Sequence, residues 1–563
     1  NLDGKVKIAG GLTSDSLTVA VGDILFGSSN GKGYEATNLK VQAPDHQVST
    51  SFNSTLTGDT EKDLEYVLGG VVKDGSYKFT EDSSINVTGS GAKGMELAKA
   101  TTIDAIGKTL NVNVTNASNT TAGIYQDKDV NSTIKADKLV MDVESSNSGT
   151  HAIHQNQGNL TIDGDVDIDI TGNGSTVGVY SHAGSTTING DVKVKLDSKH
   201  GDSIEYGSAG IYAHAGYGGA TGGTITVNGN VDISGVGNGL FANIGDAEIN
   251  VKGGKINIVD DKSNGYSAIY ATCGNINMNV LKDAEGKVTG ADKNDVDITG
   301  NVVVSVGAVN YVDSCLNTNV NLGLTTKDSK LTGVIYNEFP EAGKVVSSRG
   351  DSKTFTGAAN LWLQNGATWI NEQQGELPSV WGGEKFTGSR VAKFVGGTSA
   401  ETAGNIYQKD SNALTINDYS GVTNIYYEHD NDGSSASDYD KYGDTIIKHA
   451  EKDSQVNLIT SSKGLTINAE TINNTLNALA GKLTYSNYAT GERNLDGKVK
   501  IAGGLTSDSV TMAVGNILFS EADGKGSGAE HITIPSAPES QVSKIFNSTL
   551  TGDTEKDLEY VLG

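Results

Sequence analysis

Proline is nearly missing from this chain, with 5 in 563 residues, and arginine is rarer still, at Arg349, Arg390 and Arg493 only. The scarcity of proline leaves few obstacles to backbone pairing, so long stretches can take up strand ladders. The scarcity of arginine, with a net charge of −26, excludes nucleic acid as a partner, because phosphate must be neutralised by Arg and Lys. The same charge disfavours anionic membrane surfaces. No run approaches 18 apolar residues, so no transmembrane helix is expected. Two cysteines, Cys273 and Cys315, decide little by themselves about the redox compartment. Long helix-forming runs are scarce as well. A Gly-x-Ser-x-Gly nucleophile motif, a phosphate-binding loop and a metal-ligand cluster are all missing, and neither a cofactor nor a metal is expected.

What is abundant is glycine, at 73 residues, spread through alternating runs of Val, Ile, Thr, Asn and Asp. Between Gly123 and Val280 a short phrase returns: Gly123-Ile124-Tyr125, Ala152-Ile153-His154, Gly178-Val179-Tyr180, Gly210-Ile211-Tyr212, Gly239-Leu240-Phe241 and Ala268-Ile269-Tyr270. The steps are 29, 26, 32, 29 and 29 residues, a period that marks a solenoid. After the phrase comes a second alternating run, such as Leu160-Thr161-Ile162 or Ile225-Thr226-Val227. A two-residue corner follows, Asp163-Gly164 or Asn228-Gly229, and then a third run, such as Val166-Asp167-Ile168-Asp169-Ile170. Three period-2 strands per coil predict an all-β fold, a three-sided parallel β-helix with short helical insertions. A string of β-hairpins would explain the Asn-Gly and Asp-Gly corners but neither the third strand nor the steady return.

The alternation assigns faces. Ile211, Ala213 and Ala215, then Leu240, Ala242 and Ile244, then Ile269, Ala271 and Cys273 are expected to point inward. On the other side Tyr125, Tyr180, Tyr212, Phe241 and Tyr270, with His154 filling one rung, are expected along a solvent-facing flank. His182 and His214 stand beside them. This aromatic ladder is the candidate ligand-binding site, a glycan platform, unless its rings only stabilise one another.

Residues 1–100 read as the first coils, with a capping box at Thr60-Glu61-Lys62-Asp63 opening a short helix closed by Gly69. Residues 101–356 hold the regular coils of about 29 residues, with an insertion from Lys282 to Asn294 and a weakened phrase at Ala308-Val309-Asn310. Residues 357–493 read as further coils and an amphipathic helix over Thr471 to Leu483, with Ile472, Leu476, Leu479 and Leu483 on one face. Residues 494–563 restart the chain: Asn494 to Leu505 repeats Asn1 to Leu12, and Thr551 to Gly563 repeats Thr57 to Gly69, at an offset of 493 to 494 residues. The chain thus holds one long repeat and the first seventy residues of the next. At about 4.8 Å per coil it should make at most roughly 17 coils and about 80 Å of rod, continuous through Leu483 to Asn494 and without an evident cap at either end.

Leu361-Trp362-Leu363-Gln364-Asn365-Gly366-Ala367-Thr368-Trp369, Leu414-Thr415-Ile416-Asn417-Asp418-Tyr419-Ser420-Gly421 and Leu476-Asn477-Ala478-Leu479-Ala480-Gly481-Lys482-Leu483 resemble phrases of bacterial autotransporter adhesin passenger domains. The resemblance implies a right-handed β-helix, secretion through an outer membrane to the bacterial cell surface, and a part in adhesion or biofilm formation. It carries over no catalytic residue. The expected partners are surface glycans or proteins and further copies of the same repeat.

Other features have bland readings. Asp163, Asp165, Asp167 and Asp169 form an acidic strand edge without the order of a calcium loop. Asp430-Asn431-Asp432-Gly433 begins such a loop but lacks its closing glutamate. Arg349-Gly350-Asp351 is an integrin-type tripeptide that composition alone can produce. Cys273 and Cys315 are expected to lie on adjacent coils, close enough for a disulfide. Parallel β-helices also serve as polysaccharide-degrading enzymes or tailspike-like depolymerases, but the regular stack has no arginine to clamp a uronate, so the chain is read as noncatalytic. A purely structural surface filament is the remaining alternative.

Overall fold

The computed structural model describes residues 82–97, 100–118, 120–146, 149–199, 207–215, 222–258, 265–305, 317–339, 354–378, 387–431, 433–461, 469–486 and 494–502. It also describes the strand segments Ala20–Val21, Ile24–Leu25, Thr37–Val41, Gly70–Lys73, Ser76–Phe79, Lys344–Val346 and Met512–Ile517. The chain forms a parallel β-helix, a solenoid in which each coil lays its strands beside those of the coil before. Three columns of stacked side chains run along it. The first carries the phrase: Met95, Ile124, Ile153, Val179, Ile211, Leu240, Ile269, Val302 and Ile335 are successive register partners. The second runs from Ile103 through Ile134, Ile162, Ile188, Val227, Val251, Met278, Leu322, Leu361, Phe394 and Tyr419 to Ala450. The third, from Ile85 to Val499, has fourteen rungs and includes Ile168, Ile233, Trp369 and Leu458. Every rung of the third column is at most 2% exposed, so a single apolar core runs the length of the stack.

Thirteen steps of about 4.8 Å make that column, from Ile85 to Val499, about 62 Å long; a uniform 29-residue coil over the same stretch would give about 14 steps and about 69 Å. The coils are not uniform. Register partners in this column stand 19 residues apart at Ile406 and Ile425 but 42 apart at Ile256 and Ile298. The longer coil carries the Lys282 to Asn294 insertion, which is an antiparallel ribbon, Val280–Lys282 with Val288–Ala291. The phrase after Tyr270 falls at Val302-Val303-Val304, paired with Ile269-Tyr270-Ala271. It is not at Ala308-Val309-Asn310, which lies outside the described residues.

Two glycine positions explain the corners and the phrase. Gly164 has φ +139, and a Cβ there would stand 1.7 Å from the Ala136 carbonyl oxygen of the coil below, so only glycine turns this corner. In the phrase, ladder pairing passes over one residue on both strands: His151 pairs with Val177 and Ile153 with Val179, so Ala152 and Gly178 stand outside the ladder while the register is kept. This is a kink repeated in phase from coil to coil, and it breaks the two-residue alternation. It turns Gly178 toward the core, where a Cβ would lie 2.8 Å from Val194 Cγ1 and 2.5 Å from the Gly210 carbonyl oxygen.

The helix spans Ala469–Ala480, with Leu476, Leu479 and Ala480 in the core. Leu483, expected as its last apolar residue, opens instead a strand, Leu483–Tyr485, which pairs with Thr445–Ile447. The turn at Gly481 ends the helix, and Leu483 is then drawn into the core as a sheet residue. The second long repeat continues the stack: Leu495–Ala502 pairs in parallel with Ser454–Ser461 along all eight residues. Both ends of the parallel stack carry antiparallel strands, contrary to the expectation of bare ends. Met512–Ile517 lies along Leu495–Ala502. Ile24–Leu25 lies on Glu96–Leu97, and Thr37–Val41 on the strand Ser83–Ser90. The Thr60 to Gly69 helix and Arg349-Gly350-Asp351 lie outside the described residues.

Candidate functional site: an aromatic and histidine ridge

The ridge is built by the first column of strands. Tyr125, His154, Tyr180, Tyr212, Phe241, Tyr270, Val303 and Tyr336 are successive register partners on the side opposite the main core. Tyr212 and Phe241 stack at 4.6 Å and 13°, and Phe241 and Tyr270 at 5.0 Å and 5°. Tyr125 and His154, His154 and Tyr180, and Tyr180 and Tyr212 meet edge to face at 4.8–5.3 Å. Offset and edge contacts of this kind suit the ring quadrupole.

The flank is not open to solvent as the alternation suggested. Tyr212, Phe241 and Tyr270 are 3–8% exposed, and His154 and His214 are buried too. Tyr125, Tyr180 and His182 remain partly exposed. The kink at the phrase is one reason. It sends a second side chain outward on each coil, so Val177 and Ala209 pack beside the rings in a small core of their own, which Tyr336 and Leu377 extend. The chain at Gly207 also crosses close over Tyr212, where a Cβ would stand 2.7 Å from the ring.

The same kink exposes what period-2 reasoning missed. His151, three residues before His154, shares its side, and their rings are 4.4 Å apart. His182 and His214 stack at 5.2 Å and 17°. Four histidines therefore gather over three coils, and the signal that could have found His151 is the small residue at the head of every phrase. Burial holds all four below the ordinary histidine range: His154 and His214 fall to about 4, His151 lies well below its usual value, and His182 is lowered. They are neutral near pH 7. His154 Nε2 is 3.1 Å from Asn156 Oδ1, and Asn156 Nδ2 donates to Asp127 Oδ1 at 2.7 Å. That bond is the main cause of the lowered Asp127 carboxyl. At the Tyr125 end the Lys93 ammonium sits 3.7 Å over the Tyr125 ring and 3.2 Å from Glu96. Burial, with Asp127 nearby, raises the Tyr125 phenol to about 12.

This arrangement offers neutral rings, amides and hydroxyls. The titrating groups pushed furthest are pushed mainly by burial, and no group of three or more His, Cys, Asp or Glu among the described residues could hold a metal ion. The four acidic residues of the third strand bind neighbouring coils instead. Asp163 accepts from Asn189, Asp165 from the Asp191 amide, Asp167 meets Lys138 at 2.8 Å and Asp169 meets Lys195 at 2.8 Å. Asp430 is held by Lys441 Nζ at 2.5 Å. Cys273 is disulfide-bonded, and its amide donates to Thr318 Oγ1; Cys315 lies outside the described residues. No helix among the described residues is long and apolar enough to cross a membrane. No protein family, curated protein or solved structure matches the chain.

Proposed function

We propose that this chain is a noncatalytic rod, one unit of a tandemly repeated adhesin or biofilm protein displayed outside a bacterial cell. The observation that carries the reading is the passage of the parallel stack from the first long repeat into the second, where Leu495–Ala502 continues the ladder of Ser454–Ser461. A repeat that joins its successor edge to edge builds length and stiffness, and a long acidic rod serves reach and presentation rather than turnover. The autotransporter-like phrases support export through an outer membrane. The partners are surface glycans or proteins, and the partly exposed positions of the ridge, Tyr125, Tyr180 and His182, are the contact with them. Buried rings such as Phe241 hold coils together.

Binding of the purified chain to a panel of immobilised glycans and to cell surfaces tests this. Retention without product, weakened by Tyr180→Ser in protein that keeps its fold, is the expected result. Release of reducing ends from a polysaccharide, abolished by carboxylate substitution, would replace the reading with that of an enzyme. A rod that retains nothing would leave only a structural filament.

A further inference from the structure

The ribbon of Val280–Lys282 and Val288–Ala291 reaches back to the preceding coil through Lys282. The Lys282 ammonium meets two groups of the strand Asn238–Asn257 at once: the Glu248 carboxylate and, at 2.6 Å, the side-chain carbonyl oxygen of Asn250. That oxygen also accepts from Asn277 Nδ2 at 3.0 Å, and the same Nδ2 donates to Glu248 Oε1 at 3.0 Å. Asn277 is 4% exposed and is fixed by a ladder of amides. Asn250, Asn277, Asn321 and Asn360 are register partners on successive coils. Asn321 Nδ2 donates to Asn277 Oδ1 at 2.8 Å, and Asn360 Nδ2 to Asn321 Oδ1 at 2.8 Å. The side chains of Lys282 and Glu248 are 25% and 31% exposed, against 67% and 52% for the surface pair Lys195 and Asp169. An ion pair needs only the ammonium and the carboxylate. An amine, a carboxyl group and a carbonyl polarised by a fixed N–H donor are together the parts of an acyl transfer.

We propose that Lys282 and Asn250 join in an intramolecular isopeptide bond, which the chain forms on itself in a single turnover promoted by Glu248. Glu248 takes a proton from the Lys282 ammonium and leaves a neutral amine. The Nζ lone pair attacks Asn250 Cγ, which is one bond beyond Oδ1 and within reach of the flexible lysine stem. The carbonyl electron pair moves onto Oδ1, where Asn277 Nδ2 donates to the developing negative charge. Glu248 passes its proton to Asn250 Nδ2, the Cγ–Nδ2 bond breaks, and the carbonyl re-forms. The carboxylate then takes the second proton from Nζ and yields it to the departing ammonia. Ammonium leaves, Glu248 ends as it began, and the product is a secondary amide between Nζ and Cγ. The bond ties positions 32 residues apart, one coil to the next, and fastens the ribbon at its root. An amide there holds when the strand ladder opens locally. It concerns the covalent structure of one coil, independent of what the rod binds.

Intact mass and peptide mapping of the full chain test this. The parent protein should weigh one ammonia less than its sequence. Its tryptic digest should contain a branched peptide that joins the segment carrying Asn250 to one in which Lys282 is uncut. Lys282→Arg keeps the ion pair with Glu248 and removes the nucleophile, so it should abolish the branch and restore the missing ammonia. A succinimide at an Asn-Gly corner also loses ammonia, but it makes no branch and persists in Lys282→Arg. Glu248→Gln should slow the reaction at least about a hundredfold, read as the branched fraction in freshly expressed protein. If that variant fails to fold, the parent map and Lys282→Arg still decide. Folded parent protein with Asn250 and Lys282 on separate peptides, cut cleanly after Lys282, would overturn the proposal. So would a branch that forms at the parent rate in folded Glu248→Gln.

Discussion

His154 is an imidazole held between two aromatic rungs, with a bond to Asn156 and with Lys93, Asp127 and His182 as its charged or titrating neighbours. Burial leads the causes that lower its folded value to about 4, and the unfolded chain returns it to about 6.5. The folded state then binds fewer protons than the unfolded state between these values. Its stabilisation is complete above pH 6.5 and is lost as pH falls toward 4, by up to about 3 kcal/mol at one site. His214, lowered to about 4 by burial, acts in the same direction. Thermal melts of the parent and of His154→Phe between pH 7 and pH 4.5 should therefore converge, the parent losing more stability on acidification. Parallel pH profiles would remove His154 from the account. The sequence placed this residue in the ladder by the phrase alone. Neither its burial nor its contact with His151 was legible, because both follow from a kink that two-residue alternation does not contain.

Among the strands, the outer side of the third column carries a pattern that no single coil displays. Asp167, Lys193, Asp232, Lys255, Asp297 and Lys330 are register partners on six successive coils, and their charges alternate without exception. Lys255 and Asp297 are 3.8 Å apart. Strands stacked in register bring like residues within about 5 Å, where like charges repel, so alternation removes a penalty at every step. Slipping one coil would set Asp on Asp and Lys on Lys. Lys193→Glu places three acids in a row and should lower stability by roughly 1 kcal/mol in low salt. High salt should recover most of the loss, because position 193 and Asp232 are exposed and Asp167 is partly so. A loss unchanged by salt would point to packing rather than charge. Each coil's sequence holds its own charge, but which charges meet depends on coil lengths, and these vary from 19 to 42 residues in this column.

For the molecule as a whole, the decisive contact is the one across the repeat boundary. Leu483–Tyr485 stacks on Thr445–Ile447 and Leu495–Ala502 on Ser454–Ser461, so consecutive units share one apolar core. A chain of two complete units should appear in electron micrographs as straight rods of about twice the single-unit length. Two bodies swinging about a joint near Gly491 would contradict it. The antiparallel strand Met512–Ile517 pairs edge to edge with the last parallel strand and extends the same sheet past this boundary.

Composition and periodicity by themselves determined the solenoid, its three strands per coil, the inward positions Ile211, Ala213, Leu240, Ala242, Ile269, Ala271 and Cys273 and the rungs from Tyr125 to Tyr270, whereas Ala215 and Ile244, also expected inward, do not join the main core. These depend on side-chain alternation and a recurring corner, both of which are local properties of the chain. Only the tertiary structure decided which side chains the ridge covers, that Val303 and Tyr336 prolong it, and that Leu483 belongs to a sheet rather than a helix. It also decided that the acids of Gly158–Gly172 bind neighbouring coils. Burial and pairing at those positions depend on what the next coil lays above them, and a coil of variable length sets that neighbour at a distance along the chain that no local pattern encodes.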